Sequence, residues 1–212
     1  MSLSHSPSVA MNGLVLALDA ANPKSYPGSG TAWYDISGNG NNGTLINSPT
    51  YSVTNGGTFT FNGTNNYITS TFATTVGQEL TVMGWLYSTE TTANYKNFFD
   101  SVTARPMIWW NTLGQIEFDA GYYTTTTVYR NQWAHVALSK PAGSSSASYY
   151  VNGALVGTGT AYSVSAVTLT WFNRAAGQIW KGDSSNIQAY NRALSATEVL
   201  QNFNALRGRY GI

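Results

Sequence analysis

A chain of 212 residues with a formal net charge of +1, 9% charged residues and no cysteine lacks the basic stripe that nucleic acid requires and the charge that would dock it on a membrane surface. Hydrophobic residues at 42% and aromatic residues at 14% exclude a disordered chain, and a fold of this length buries about 70% of its unfolded surface without disulfide staples. The surface must then be furnished by Ser, Thr, Asn and Gly, which suits glycan contact or close packing in an assembly.

No run reaches the roughly 20 apolar residues of a membrane span, and Met1 to Val9 lacks the basic and apolar regions of a secretory signal. Residues 1–12 read as an uncharged, Ser-rich N-terminal arm with His5, and residues 13–212 as one domain. Leu14, Leu16 and Leu18 alternate with Val15 and Ala17, an apolar strand that Asp19 ends. The stretch Trp33 to Leu45 holds Gly38, Gly40 and Gly43 among Asn39, Asn41 and Asn42, a compact loop pinned by its own side chains.

Strand patterns follow at short intervals. Thr58 to Phe61 alternates with period two and turns at Asn62-Gly63 toward Tyr67-Ile68. Leu80, Val82, Gly84 and Leu86 share one strand face, with Met83, Trp85 and Tyr87 on the other. Further strands are predicted at Asn97–Asp100, Pro106–Trp110, Gln115–Asp119, Trp133–Lys140, Ser146–Val151, Ala154–Val156, Val167–Phe172, Gln178–Trp180 and Ser185–Tyr190. Asn152-Gly153 is a strong hairpin signal. One segment reads as helix: Ser195-Ala196-Thr197-Glu198 is a capping box, Val199, Leu200, Phe203 and Leu206 recur at helical spacing, and Gly208 is the predicted stop.

The order of these strings resembles the concanavalin A-like lectin/glucanase superfamily in its laminin-G-like branch. The strings are Leu14 to Asp19, the Trp33 to Leu45 loop, Phe59 to Ile68, Leu80 to Trp85, Trp133 to Leu138, Tyr150 to Gly153, and Tyr190 to Ser195 with Glu198. The resemblance implies an all-β fold, a two-sheet antiparallel jelly-roll sandwich with one short C-terminal helix. Leu18 to Pro23, the Trp33 to Leu45 loop and the Arg207 to Gly211 end together resemble versions in tailed-phage virion proteins.

The glucanase branch places two Glu on one strand, about 5–5.5 Å apart, as nucleophile and acid/base. Here Glu117-Phe118-Asp119 begins such a pattern, but Gly121 and Tyr122 stand where the second Glu is required. His5 and His135 are the only histidines, too few for a nucleophile–base set or a zinc site. Calcium, which many members hold, is the expected metal, with Asp19, Asp35, Asn62 and Asp183 as candidate oxygen ligands. The candidate glycan or partner contacts are Trp109, Trp110, Tyr122, Tyr123 and Tyr129; adjacent Trp109 and Trp110 must point to opposite faces, leaving one outside the core. Asn42-Gly43-Thr44 and Asn62-Gly63-Thr64 match glycosylation sequons but read as turns.

The sequence thus points to a non-enzymatic virion surface protein of a tailed phage, a capsid decoration or fibre or a tail receptor-binding component. Its partners would be other virion proteins, its own copies or cell-surface glycans. The alternative is a carbohydrate-binding module of a secreted or surface protein.

Overall fold

A computed structural model describes residues 8–91, 96–101, 104–118, 123–160, 164, 166, 168–172 and 178–212. In chain order its strands are β1 (Leu14–Asp19), β2 (Ala32–Trp33), β3 (Gly43–Ile46), β4 (Thr50–Ser52), β5 (Thr58–Asn62), β6 (Tyr67–Ala73), β7 (Leu80–Ser88) and β8 (Lys96–Ser101). They continue with β9 (Ala104–Trp110), β10 (Gln115–Phe118), β11 (Tyr123–Val128), β12 (Trp133–Lys140), β13 (Ser146–Val151), β14 (Ala154–Thr160), β15 (Thr168–Trp171) and β16 (Lys181–Tyr190). A single α-helix among the described residues, α1 (Ala196–Leu206), follows.

The strands form two antiparallel sheets. The helix-side sheet runs β14-β13-β12-β7-β16-β5-β4, with β1 also paired to β16, and the far sheet runs β11-β10-β9-β8-β15-β6-β3-β2. Period-two alternation decides what fills the space between them. Leu16, Leu18, Phe59, Phe61, Val82 and Leu86 enter from one sheet and Trp33, Leu45, Ile68, Ile108, Trp110 and Phe118 from the other, all in one buried cluster. Gly84 is required there, because a Cβ would sit 2.6 Å from Cζ of Phe98.

The outer face of the helix-side sheet is covered. Trp85 stacks on Tyr210, ring centroids 4.1 Å apart, and on Phe203 of α1 at 5.5 Å. Met83 and Val199 share a second buried cluster with Tyr190 and Ala10. Residues 8–12 of the expected arm lie against α1: the Ala10 amide donates to Oδ1 of Asn202 (2.7 Å), and the Tyr190 hydroxyl donates to the Ala10 carbonyl (2.9 Å). Residues 1–7 lie outside the described residues.

β1 is paired on one side only, to β16. The loop after Trp33 closes its other edge. Asp35 Oδ1 accepts from the Ala17 amide, the Ile36 amide donates to the Ala17 carbonyl, and the side-chain Nδ2 groups of Asn39 and Asn41 donate to the carbonyls of Leu14 and Val15. An unpaired edge, which would otherwise invite another chain, is satisfied by side chains.

Two local expectations are corrected. Gln178–Trp180 is not a strand; the Trp180 amide donates to the Phe172 carbonyl in an irregular passage into β16. The helix does not stop on a left-handed Gly208 but tightens into a 3-10 turn over Arg207–Arg209, and Gly211 takes the positive φ of 72°.

Candidate functional site

The far sheet presents a row of side chains away from the core. Ile116 and Phe118 of β10 are buried in the core, so Gln115 and Glu117 face outward. Register pairs Glu117 with Trp109 on β9 and with Thr124 on β11, and pairs Trp109 with Asn97 on β8. Cross-strand partners share a face, so Asn97, Trp109, Glu117 and Thr124 cross four strands in one line.

Glu117 and Thr124 are half-buried, while Trp109 is 7% exposed and Asn97 fully buried. Oε1 of Glu117 accepts from Nδ2 of Asn111 at 3.0 Å, and Oδ1 of Asn111 caps the amides of Leu113 and Gln115, which fixes the turn after β9. Asn97 holds its backbone amide on the Gln178 carbonyl (3.1 Å), but neither Nδ2 nor Oδ1 of its side chain has a hydrogen-bond partner among the described residues. A buried amide left so costs about 1–3 kcal/mol, which an ordered water or a ligand group offsets. Sequence reading missed Asn97: its only signal is a polar residue beside Phe98, and its place opposite Trp109 depends on a register that spacing does not give.

The structure brings together few of the aromatics singled out from sequence. Trp109 and Trp110 point to opposite faces, Trp110 into the core and Trp109 away from it, but Trp109 is covered on the outer face at 7% exposure and is not an open platform. Trp110 packs edge-on against Trp180 at 4.9 Å and its indole nitrogen donates to the Tyr129 carbonyl. Tyr129 and Tyr123 are half-buried against the core instead of exposed. The Tyr123 ring lies 5.7 Å from that of Tyr149, its hydroxyl donates to the Val156 carbonyl, and Gly157 leaves the room it occupies. Tyr122 and Asp119 lie outside the described residues.

The residues present do not fit a calcium ion at the four expected ligands. Both oxygens of Asp19 are taken by the Arg209 guanidinium at 2.8 and 2.9 Å. Asp35 accepts from Ala17, Ser37 and Asn41. Asn62 Oδ1 accepts from the amides of Thr64, Asn65 and Asn66, and Asp183 accepts from the Thr60 hydroxyl at 2.6 Å, with burial raising its carboxyl above the ordinary range. Among the described residues no group of three or more His, Asp or Glu side chains is placed to hold a metal. His135 is buried beneath Trp85 and Phe203, and burial pushes its imidazole down to about 3, so it is neutral and structural. Asn42 and Asn62 of the sequons both serve turns.

The laminin-G model of the concanavalin A-like lectin/glucanases superfamily matches residues 62–200. The chain belongs to this superfamily. No curated protein matches it at the level of sequence. Among solved structures, this concanavalin A-like chain superposes on the binding domain of Paraclostridial Mosquitocidal Protein 1 with a TM-score of 0.70 and 14% identity, over 91% of this chain and 52% of that one. It also superposes on domain 4 of an extracellular arabinanase from Geobacillus stearothermophilus, solved with arabinotriose, at 0.65 and 18% identity, over 89% and 97%. The Trypanosoma rangeli sialidase, solved with sialic acid, gives 0.68 and 17% identity, over 93% of this chain but 33% of the enzyme. The concanavalin A-like chain thus spans about half of the toxin binding domain, a third of the sialidase and nearly all of the arabinanase domain. At these identities the likeness is one of fold.

Proposed function

We propose that this chain is a non-catalytic carbohydrate-binding module that takes a neutral glycan across the outer face of its far sheet. The observation that carries the reading is the row Asn97–Trp109–Glu117–Thr124, whose half-buried end presents the Glu117 carboxylate and the Thr124 hydroxyl at the surface, backed by the buried Trp109 and Asn97. Sugar hydroxyls donate and accept at once, and a carboxylate beside a Thr hydroxyl offers the complementary set. Four strands span roughly 14 Å from first to last, the reach of a short oligosaccharide. The arabinotriose bound to the arabinanase domain, a neutral oligosaccharide on a domain of the same fold, supports the ligand class.

Hydrolysis would need a second acid near Glu117; among the described residues neither cross-strand neighbour, Trp109 nor Thr124, supplies one, and Asp119 lies outside them. The extracellular arabinanase among the structures of the same fold favours a secreted or surface setting over the virion surface expected from the sequence. The virion reading differs in setting and partners, not in the act of surface recognition. A glycan array followed by calorimetry tests the proposal: the wild-type chain binds at least one neutral oligosaccharide at micromolar to millimolar concentration, and Glu117→Gln weakens it at least tenfold.

A further inference from the structure

A cleft of about 230 Å³ opens on the opposite sheet, between β1, β16, the end of α1 and the segment that precedes β1. Its floor is set by register. Asn186 and Gln188 sit two residues apart on β16, so both point to the outer face of the helix-side sheet. They pair with Asp19 and Ala17 of β1. The small Ala17 side chain leaves the space, and Met11, Leu14 and Leu206 wall it.

Both amides are more than nine-tenths buried, at 4% and 3% exposure, and both line the cleft. The Tyr190 hydroxyl lies 3.4 Å from Gln188 Oε1 but gives its proton to the nearer Ala10 carbonyl at 2.9 Å, and the Asn186 side chain makes no hydrogen bond among the described residues. The single charge in the lining, Asp19, is neutralised by the Arg209 guanidinium at 2.8 Å. Apolar walls, carboxamides with spare donors and acceptors, and no uncompensated charge define what can enter. A charged ligand would lose its hydration for nothing in return.

The structure assigns this cleft, we infer, as a binding site for a small neutral amphipathic molecule, with an apolar body against Leu14 and Ala17 and one amide-type head on Asn186 and Gln188. It lies below the roughly 300–1,000 Å³ of a drug-sized pocket, so the ligand is a fragment. The site is on the other sheet from the proposed glycan row and does not depend on it.

The test is an NMR titration of the intact, ¹⁵N-labelled chain with acetanilide, a neutral phenyl amide, and with phenylacetate, its charged counterpart. Acetanilide should give saturable shifts centred on Ala17, Asn186 and Gln188, and phenylacetate should bind at least tenfold more weakly. Asn186→Leu should weaken acetanilide at least tenfold, and Ala17→Met should fill the space and abolish binding. If Ala17→Met fails to fold, the Asn186→Leu comparison decides. No saturable shift with acetanilide, equal binding of both probes, or undiminished binding by Asn186→Leu overturns the inference.

Discussion

The Asp35 carboxylate holds the loop between β2 and β3 in place. It accepts from the backbone amides of Ala17, Ser37 and Asn41 and from the Ser37 hydroxyl, all between 2.8 and 2.9 Å. Hydrogen bonds to a charged acceptor contribute more than neutral ones, so Asp35→Ala should lower stability by about 3 kcal/mol, read as a shift of the denaturant midpoint. A change under about 0.5 kcal/mol would mean that the loop holds itself without it. His135 gives a pH signature. Its folded-state pKa of about 3 lies below the ordinary 6.5, so as pH falls the unfolded chain takes up the proton first. Stability is full above pH 6.5 and declines toward pH 3, by about 2 kcal/mol between pH 6.5 and 5. Glu198, whose carboxylate Arg192 and the Ser195 amide hold down to about 2, begins to cost stability only below its ordinary 4.5, so the decline between pH 6.5 and 5 belongs to His135 and not to Glu198. Urea titrations of His135→Gln across pH 5–6.5 should show a flatter dependence than the wild type. At this scale the sequence spoke unevenly: it marked Asp35 and Asp19 as special oxygens, but the guanidinium that occupies Asp19 arrives from Arg209, at the far end of the chain, and no spacing rule links them.

Elements were legible where a local signal and a buried face agreed. The capping box at Ser195 is formed as read: the Ser195 side chain accepts from the Glu198 amide and Glu198 answers on the Ser195 amide. Ser195→Ala should cost about 1 kcal/mol, a fall in melting temperature of about 2–4 °C for a chain of this size. An unchanged melting temperature would show that α1 is held by packing of Val199 and Phe203 alone. Alternation likewise placed β1, β5, β7 and β12, whose faces are both covered or cleanly divided. It missed β3 and β11, because Gly43–Ile46 reads as the tail of a glycine loop and Tyr123–Val128 is mostly threonine with little apolar contrast. It promoted Gln178–Trp180 to a strand because Trp180 is apolar, although that indole packs from an irregular segment against Phe172.

The whole molecule is a sandwich with two unlike outer faces. One is sealed by α1, Tyr210 and residues 8–12 except for the cleft at Ala17; the other carries the polar row with Trp109. The superfamily was legible in the sequence because its signature strings sit at strand ends and turns, where few residues satisfy the backbone. The site was only half legible. Periodicity said that Trp109 and Trp110 part company, but not that both would be covered, nor that Asn97 would lie buried in the same row, because burial of a face depends on elements remote in sequence. The most direct test of the account is calorimetric titration of the wild-type chain and Glu117→Gln with the strongest ligand from a neutral-glycan array, alongside their melting temperatures. The account predicts saturable binding by the wild type, at least tenfold weaker binding by the variant, and melting temperatures within about 2 °C of each other. A wild-type chain that binds no glycan, or a Glu117→Gln chain that binds as tightly, would contradict it.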